Sequence, residues 1–183
     1  QSYCIGDAIW RATASMGFTS SYPTHIPTAD YHPVIIITGT STGIGREAAL
    51  TFARQGYTVI ATVRQDAHAA MLKEEFESSP ATAKLDGVLV IEGGQLHPII
   101  MDLAGKAQIA HGWEQIEACL RDTGAPLVAI INNAGHGVSR ISEQMGIDDW
   151  MQALWTNFLG AVELTRLALP RIREQHGRVI NIG

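Results

Sequence analysis

The chain of 183 residues fits one ordinary domain, and folding at that size buries about 70% of the extended surface. With 46% hydrophobic and 17% charged residues it reads as a soluble globular protein, not a disordered one. A net charge of −5 without a basic run excludes nucleic acid as the main partner, and no apolar stretch reaches the roughly 20 residues of a membrane span.

Residues 1–32 carry Ser, Thr, Pro and Tyr without clear periodicity and read as an N-terminal extension. Ile9–Phe18 has the look of a short helix with no assigned role. Pro23, Pro27 and Pro33 punctuate an extended, loosely docked lead-in. The start lacks the basic n-region and apolar core of a signal peptide. It begins at Gln1, not Met, which leaves a preceding anchor or targeting segment open.

From Pro33 strands and helices alternate. Val34–Thr38 is a β-branched apolar run without polar alternation, as expected of a central parallel strand covered on both faces. Gly39, Gly43 and Gly45 follow, and then a helical pattern to Gln55 with Ile44, Ala48, Leu50, Phe52 and Ala53 on its inner side. Such a turn bends sharply and leaves no Cβ between the backbone and a bound group. Its first amides and the positive end of the helix dipole suit a pyrophosphate. Gly56 is placed as a C-terminal cap, Tyr57–Val63 is strand two, and Ala67–Ser78 is a charged helix ended by Ser79-Pro80.

Leu85–Met101 supports two readings. Val88–Ile91 and His97–Met101 form a hairpin locally, whereas the rest of the chain favours His97–Met101 as a parallel third strand after an insertion. A helix at Ala107–Arg121 and strand four at Leu127–Ile131 follow. The longest helix spans Asp148–Glu174, interrupted or ended near Pro170, with Trp150, Leu154, Phe158, Ala161, Thr165 and Ala168 as its core face. Strand five begins at Arg178–Ile182. The alternation predicts an α/β fold: a doubly wound parallel sheet of Rossmann type in three layers, incomplete on its C-terminal side.

Polar residues cluster where such folds place ligands, beyond the carboxyl ends of the strands. Asn132 and Asn133 follow strand four, Asn132 assigned to sheet structure and Asn133 to cofactor contact. Arg64 sits just past strand two, where an acidic residue would suit the free ribose hydroxyl of NAD and an Arg suits a 2′-phosphate. NADP is therefore the expected cofactor, with NAD second. Cys4 and Cys119 show neither metal spacing nor a disulfide framework and point to a reducing, cytoplasmic compartment. The seven histidines form no H-x-x-x-H pair, so no metal site is expected. Most of them read as solvated or singly hydrogen-bonded.

Thr38-Gly39-x-x-x-Gly43-Ile44-Gly45, Asn132-Asn133-Ala134-Gly135, Asn157 and Gly177–Ile182 together resemble the short-chain dehydrogenase/reductase family, classical branch, over residues 33–183. The resemblance implies that Gly39, Ser41, Thr42, Gly43, Ile44 and Gly45 hold the cofactor pyrophosphate. It implies that Asn133, Ala134 and Gly135 line the adenosine and nicotinamide-ribose side, and that Asp102, with Leu103 beside it, contacts the adenine. It further implies that Asn157 bends its helix and supports a proton relay, and that the chain pairs with a second copy through the helix carrying Asn157. The expected activity is hydride transfer between the nicotinamide and a small-molecule carbonyl or alcohol.

The family's chemistry also needs a Ser after strand five and a Tyr-x-x-x-Lys pair, the Tyr acting as general acid or base. The tyrosines here are Tyr3, Tyr22, Tyr31 and Tyr57, none with Lys four residues on. The expectation is a cofactor-binding fragment, inactive alone, that ends inside strand five. The chief alternative is a non-catalytic nucleotide-binding or sensing module of the same fold. A nucleotide-sugar epimerase or dehydratase is disfavoured by the glycine spacing, and a flavodoxin-like protein leaves Asn-Asn-Ala-Gly unexplained.

Overall fold

The aliphatic run Val34–Thr38 is buried along its whole length as β1, the central strand of a parallel sheet. The computed structural model describes residues 25–78, 92–137 and 141–183. Elements follow in the order β1, α1 (Gly43–Arg54), β2 (Thr58–Val63), α2 (Asp66–Ser78), β3 (Gln95–Ile100), α3 (Lys106–Thr123) and β4 (Leu127–Asn132). A 3-10 turn (Ser142–Gln144) then leads to α4 (Ile147–Leu154), a π-helical segment (Trp155–Leu159), α5 (Gly160–Glu174) and β5 (Arg178–Asn181). The five strands lie in the order β3-β2-β1-β4-β5, all pairs parallel.

Side chains alternate across each strand and divide the core in two. Ile35, Ile37, Val59 and Ala61 pack against Ala49, Leu50 and Ala53 of α1 and Leu72 of α2. Val34, Ile36, Ile60 and Ile130 pack against Ile109 and Ile116 of α3 and Leu164, Ala168 and Ile172 of α5. The result is the three-layer, doubly wound arrangement that the alternation of elements implies. Ile44, placed on the inner side of α1 from its spacing, is instead 48% exposed, because the first turn of the helix projects past the sheet edge.

The parallel reading of the third strand is the one observed. β3 pairs with β2 from Thr58↔Gln95 to Val63↔Ile100. Pro98 is tolerated there because β3 is an edge strand of the described sheet, where one side of the backbone needs no ladder partner. Val88–Ile91 and Ile9–Phe18 lie outside the described residues.

Two expectations about the long helix are corrected. Its interruption is the π segment at Trp155–Leu159, and Pro170 sits inside a continuous α5. Proline removes the partner of the carbonyl four residues earlier; both Arg166 and Pro170 are exposed, so water can satisfy that carbonyl. The expected core face is also displaced. Trp150, Leu154 and Phe158 are 50%, 45% and 58% exposed, and Ala168 is the one member of the stripe that is fully buried. The face turned to the sheet is Thr156, Gly160, Leu164, Ala168 and Ile172. Apolar periodicity marks a face that avoids water, and it does not say whether the chain's own sheet covers that face.

The described end of the extension is docked, not loose. The His25 ring bonds to Gln175 O through Nε2 (2.7 Å) and to Tyr31 Oη through Nδ1 (2.8 Å). The His32 ring reaches Gly56 O at 2.8 Å and Ala29 O at 3.2 Å. Tyr57 Oη donates to His25 O at 3.0 Å. Burial, with Tyr31 adding and Arg178 opposing, pushes the Tyr57 hydroxyl above its usual range and keeps it a donor. Both ring nitrogens of His25 are thus engaged, while His32 has a carbonyl beside each ring nitrogen and a single ring N–H donates to one of them.

On the opposite layer α3 and α5 are joined by a two-pronged ion pair. Arg171 Nε and Nη2 donate to Glu117 Oε1 and Oε2 at 2.8 and 2.7 Å. The Arg171 hydrogen bonds hold the Glu117 carboxyl below the usual carboxylate range, against a smaller opposing effect of burial. A lowered folded-state pKa means that the pair stabilises above the unfolded carboxyl's pKa and loses that contribution as pH falls through the folded value. Glu117→Gln is expected to lower unfolding free energy by about 1 kcal/mol near neutral pH. In urea denaturation the gap between variant and wild type narrows as pH falls below the usual carboxylate range and closes once the folded Glu117 carboxyl is protonated.

Candidate functional site

All five strands end at the same edge of the sheet, and strand order reverses between β1 and β4. The chain leaving β1 moves towards β2 and β3, and the chain leaving β4 moves towards β5. Open parallel sheets bind ligands at such a reversal. Here its walls are the turn 39–42 after β1 and the segment 133–137 after β4.

Thr38 ties the walls together. It is fully buried, and its Oγ1 accepts the amide protons of Asn133 and Ala134, both at 3.0 Å. In return Asn133 Nδ2 donates to Thr38 O at 3.0 Å and Gly39 O at 3.1 Å. The sequence signal for this role of Thr38 is a hydroxyl closing an otherwise apolar strand. Asn133, assigned to cofactor contact, spends its side-chain donors on the turn itself. Asn132 is structural: its Nδ2 donates to Thr165 Oγ1 and Asn181 Oδ1 at 3.0 and 2.9 Å, joining β4, β5 and α5.

The three glycines of the turn have different reasons to be glycine. A Cβ on Gly39 would lie 2.6 Å from Ala134 Cα, and one on Gly45 would meet Asn133 Nδ2 and Gly39 O. Those two are bare because protein packs on them. Gly43, at φ +60°, has nothing within 4 Å of an added Cβ and faces open space.

The start of α1 is equally open. Its first internal bond runs from Arg46 N to Thr42 O at 3.5 Å, so the amides of Gly43, Ile44 and Gly45 have no partner within the helix. Thr42 occupies the N-cap without a side-chain bond, and no acidic residue lies in the first turn. Ser41 is half-buried, while Thr42, Gly43 and Ile44 are exposed. Free donors at the positive end of a helix fit an anion such as a pyrophosphate.

Arg64 and Asp102 emerge from neighbouring strands, since Met101 N donates to Val63 O at 2.8 Å. Arg64 is exposed. Asp102 accepts the Ala104 amide through Oδ1 at 2.9 Å. The Leu103 side chain is 3% exposed and packs in the core against α3 and α5.

Asn157 lies in the π segment, three residues after Leu154 and four before Ala161. It is exposed, and its carboxamide clamps the loop after β4 from across the crevice. Its Oδ1 accepts the His136 amide at 2.8 Å and its Nδ2 donates to His136 O at 3.0 Å. Gly135 makes room, as its Cβ would come within 3.3 Å of Asn157 Oδ1. The segment 133–137 is thus held by Thr38 on one side and Asn157 on the other. Among the described residues, no group of three or more His, Cys, Asp or Glu is arranged to hold a metal ion.

A family model described as short chain dehydrogenase matches residues 33–183. Human 11-beta-hydroxysteroid dehydrogenase type 2 is 31% identical over 150 residues, covering 81% of this chain and 33% of that protein. An NADP-dependent 3-hydroxy acid dehydrogenase of Escherichia coli is 30% identical over 152 residues, covering 82% of this chain and 53% of its own. Among solved structures, a short-chain dehydrogenase from Sphingobium yanoikuyae in complex with NADPH is 26% identical with a TM-score of 0.64, over 82% of this chain and 53% of that one. L-sorbose reductase from Gluconobacter frateurii, complexed with NADPH and L-sorbose, shares the fold at 21% identity and a TM-score of 0.67, over 86% and 54% of the two chains. The chain therefore spans between 33% and 53% of the length of these two curated relatives.

Replacing the Thr38 hydroxyl by a methyl leaves two amides without an acceptor at the junction of the walls. Thr38→Val is expected to cost about 2–3 kcal/mol, and Thr38→Ser less than about 1 kcal/mol. Chemical denaturation of the two variants beside wild type measures the difference; equal losses would remove the hydroxyl from its joining role.

Proposed function

The chain belongs to the short-chain dehydrogenase family, and from that membership we propose that the protein is an NADP-dependent oxidoreductase acting on a small-molecule carbonyl or alcohol. The observation that carries the reading is the open start of α1, where Gly43 faces empty space and the amides of residues 43–45 lack helical partners. A bound nicotinamide dinucleotide supplies the hydride donor or acceptor.

In this proposal the turn from Gly39 to Gly45 takes the pyrophosphate, with Ser41 and Thr42 adding hydroxyls. Asp102 and the Leu103 backbone border the adenine, while Ala134 and Gly135 border the nicotinamide ribose. Asn157 acts as a positioning residue: its carboxamide is filled by the His136 backbone, so it serves by holding the loop. The domain is taken as residues 33–183, with the preceding residues as an extension pinned at its described end.

Arg64 is assigned to the 2′-phosphate. Among the described residues no carboxylate pairs with it, whereas Arg46, the other nearby cation, is turned to Glu75 and Glu47. The NADP-dependent and NADPH-bound relatives support the same choice. A planar guanidinium recognises a phosphate through paired hydrogen bonds and gains nothing comparable from a ribose hydroxyl.

A second copy of the chain is the proposed partner for the exposed apolar face formed by Ile147, Trp150, Leu154, Phe158 and Val162. The stripe runs unbroken across α4, the π segment and α5, which is the pattern of a face meant to be covered. No helix among the described residues is long and apolar enough to cross a membrane, and a cytoplasmic location is part of the same proposal.

Two measurements test these readings. Titrated against NADPH and NADH by tryptophan quenching, the protein is expected to prefer NADPH, and Arg64→Glu to lower that preference about tenfold or more; tighter binding of NADH by wild type would overturn the cofactor assignment. In analytical ultracentrifugation Phe158→Glu is expected to shift a self-associated species to monomer with an unchanged far-ultraviolet circular dichroism spectrum. A wild-type monomer at all concentrations would rule out pairing through this face.

A further inference from the structure

We propose that Thr40 is a positioning residue for cofactor choice, setting the place of Arg64 through Thr62. The inference rests on the reading of Arg64 as the partner of a ribose 2′-phosphate. β1 ends at Thr38, yet two residues later the chain returns to β2. Thr40 is fully buried, and its amide and its Oγ1 both donate to Thr62 O, each at 3.1 Å.

One backbone carbonyl thus takes two donors from one residue. The amide bond already gives Thr62 O a partner, so the hydroxyl adds stiffness: two bonds from different atoms fix both the distance and the rotation of residue 40 against β2. Ser41 follows Thr40 directly, and Arg64 follows Thr62 by two residues. The stitch therefore sets the spacing between the hydroxyl side of the turn and the guanidinium side of the β2 end. Arg64 is exposed and has no ion-pair partner among the described residues, and the β2 backbone fixes where its side chain starts.

Spacing matters unequally for the two cofactors. NADPH is gripped at two anionic groups, its pyrophosphate on the turn and its 2′-phosphate at Arg64, and the directed bonds to both, needed at once, weaken steeply with misalignment. A free ribose hydroxyl makes one bond and tolerates play. Loosening the stitch consequently penalises NADPH and spares NADH.

Thr40→Val keeps the shape and the amide bond and removes only the hydroxyl. Dissociation constants for NADPH and NADH, read by tryptophan quenching, are measured with Arg64→Ala in parallel and thermal melts of every variant. Thr40→Val is expected to weaken NADPH about fivefold, the scale of one hydrogen bond, with NADH unchanged and Thr40→Ser restoring wild-type values. Equal weakening of both cofactors, or of neither, overturns the inference. If Arg64→Ala alters the NADPH to NADH ratio and Thr40→Val does not, Thr40 is excluded and the Arg64 reading stands. If Arg64→Ala leaves the ratio unchanged, that reading falls and this inference with it. Should Thr40→Val fail to fold, Thr40→Ala takes its place; failure of both assigns the hydroxyl to folding alone and overturns the proposal.

Discussion

The site depends on a hydrogen-bonded knot between the last residue of one strand and the first residues after another. Thr38 Oγ1 accepts two amides from the β4 loop, and Asn133 returns two bonds to the backbone after β1. The exchange closes the strand reversal of the sheet at a fixed width. It also explains two glycines of the motif. Drawing Asn133 and Ala134 this close leaves no room for a Cβ at Gly39 or Gly45. Gly43 alone is bare towards open space. A pattern usually explained by the ligand is, at two of three positions, a requirement of the protein's own packing.

A second clamp completes the loop. The π segment closes its hydrogen bonds over one residue more than an α-helix does, and around it Thr156 and, at the start of α5, Gly160 face the core while Asn157 faces the chain after β4. Gly160 permits the approach of Leu103, whose Cβ would lie 2.7 Å from an added methyl. Irregular helix and displaced side chains are thus linked: the same segment presses the α3 layer at Leu103 and holds His136 by both backbone groups. π turns inside helices are frequent at functional sites, and here the local cause is visible.

The opposite, amino edge of the sheet is closed by different chemistry. His25, Tyr31, His32 and Tyr57 pin the chain before β1 to the ends of α1 and α5. His25, Tyr31 and His32 lie outside the strand-and-helix alternation that betrays the fold, and Tyr57 stands at its margin, directly before β2. Their partners, Gly56 and Gln175, are backbone carbonyls at helix ends, groups left without helical donors and open to any side chain that reaches them.

Element type, order and parallel pairing were legible in the chain because burial on both faces writes unbroken β-branched runs such as Val34–Ile37, and because each strand is followed by a helix. The carboxyl-edge location of Gly43, Arg64 and Asp102 follows from that order alone. What periodicity could not decide was which apolar face the sheet covers: Trp150, Leu154 and Phe158 repeat as regularly as Leu164, Ala168 and Ile172, and only packing separates them. Nor could the one-dimensional pattern distinguish a carboxamide that waits for a ligand from one that serves the backbone, since Asn132, Asn133 and Asn157 differ only in the groups their neighbours bring within 3 Å. Hydrogen bonds between residues nearly a hundred positions apart, as from Asn133 to Thr38, exist only once the strands are side by side. Local chemistry determined the sheet, and tertiary proximity decided what each polar side chain on its edge is free to do.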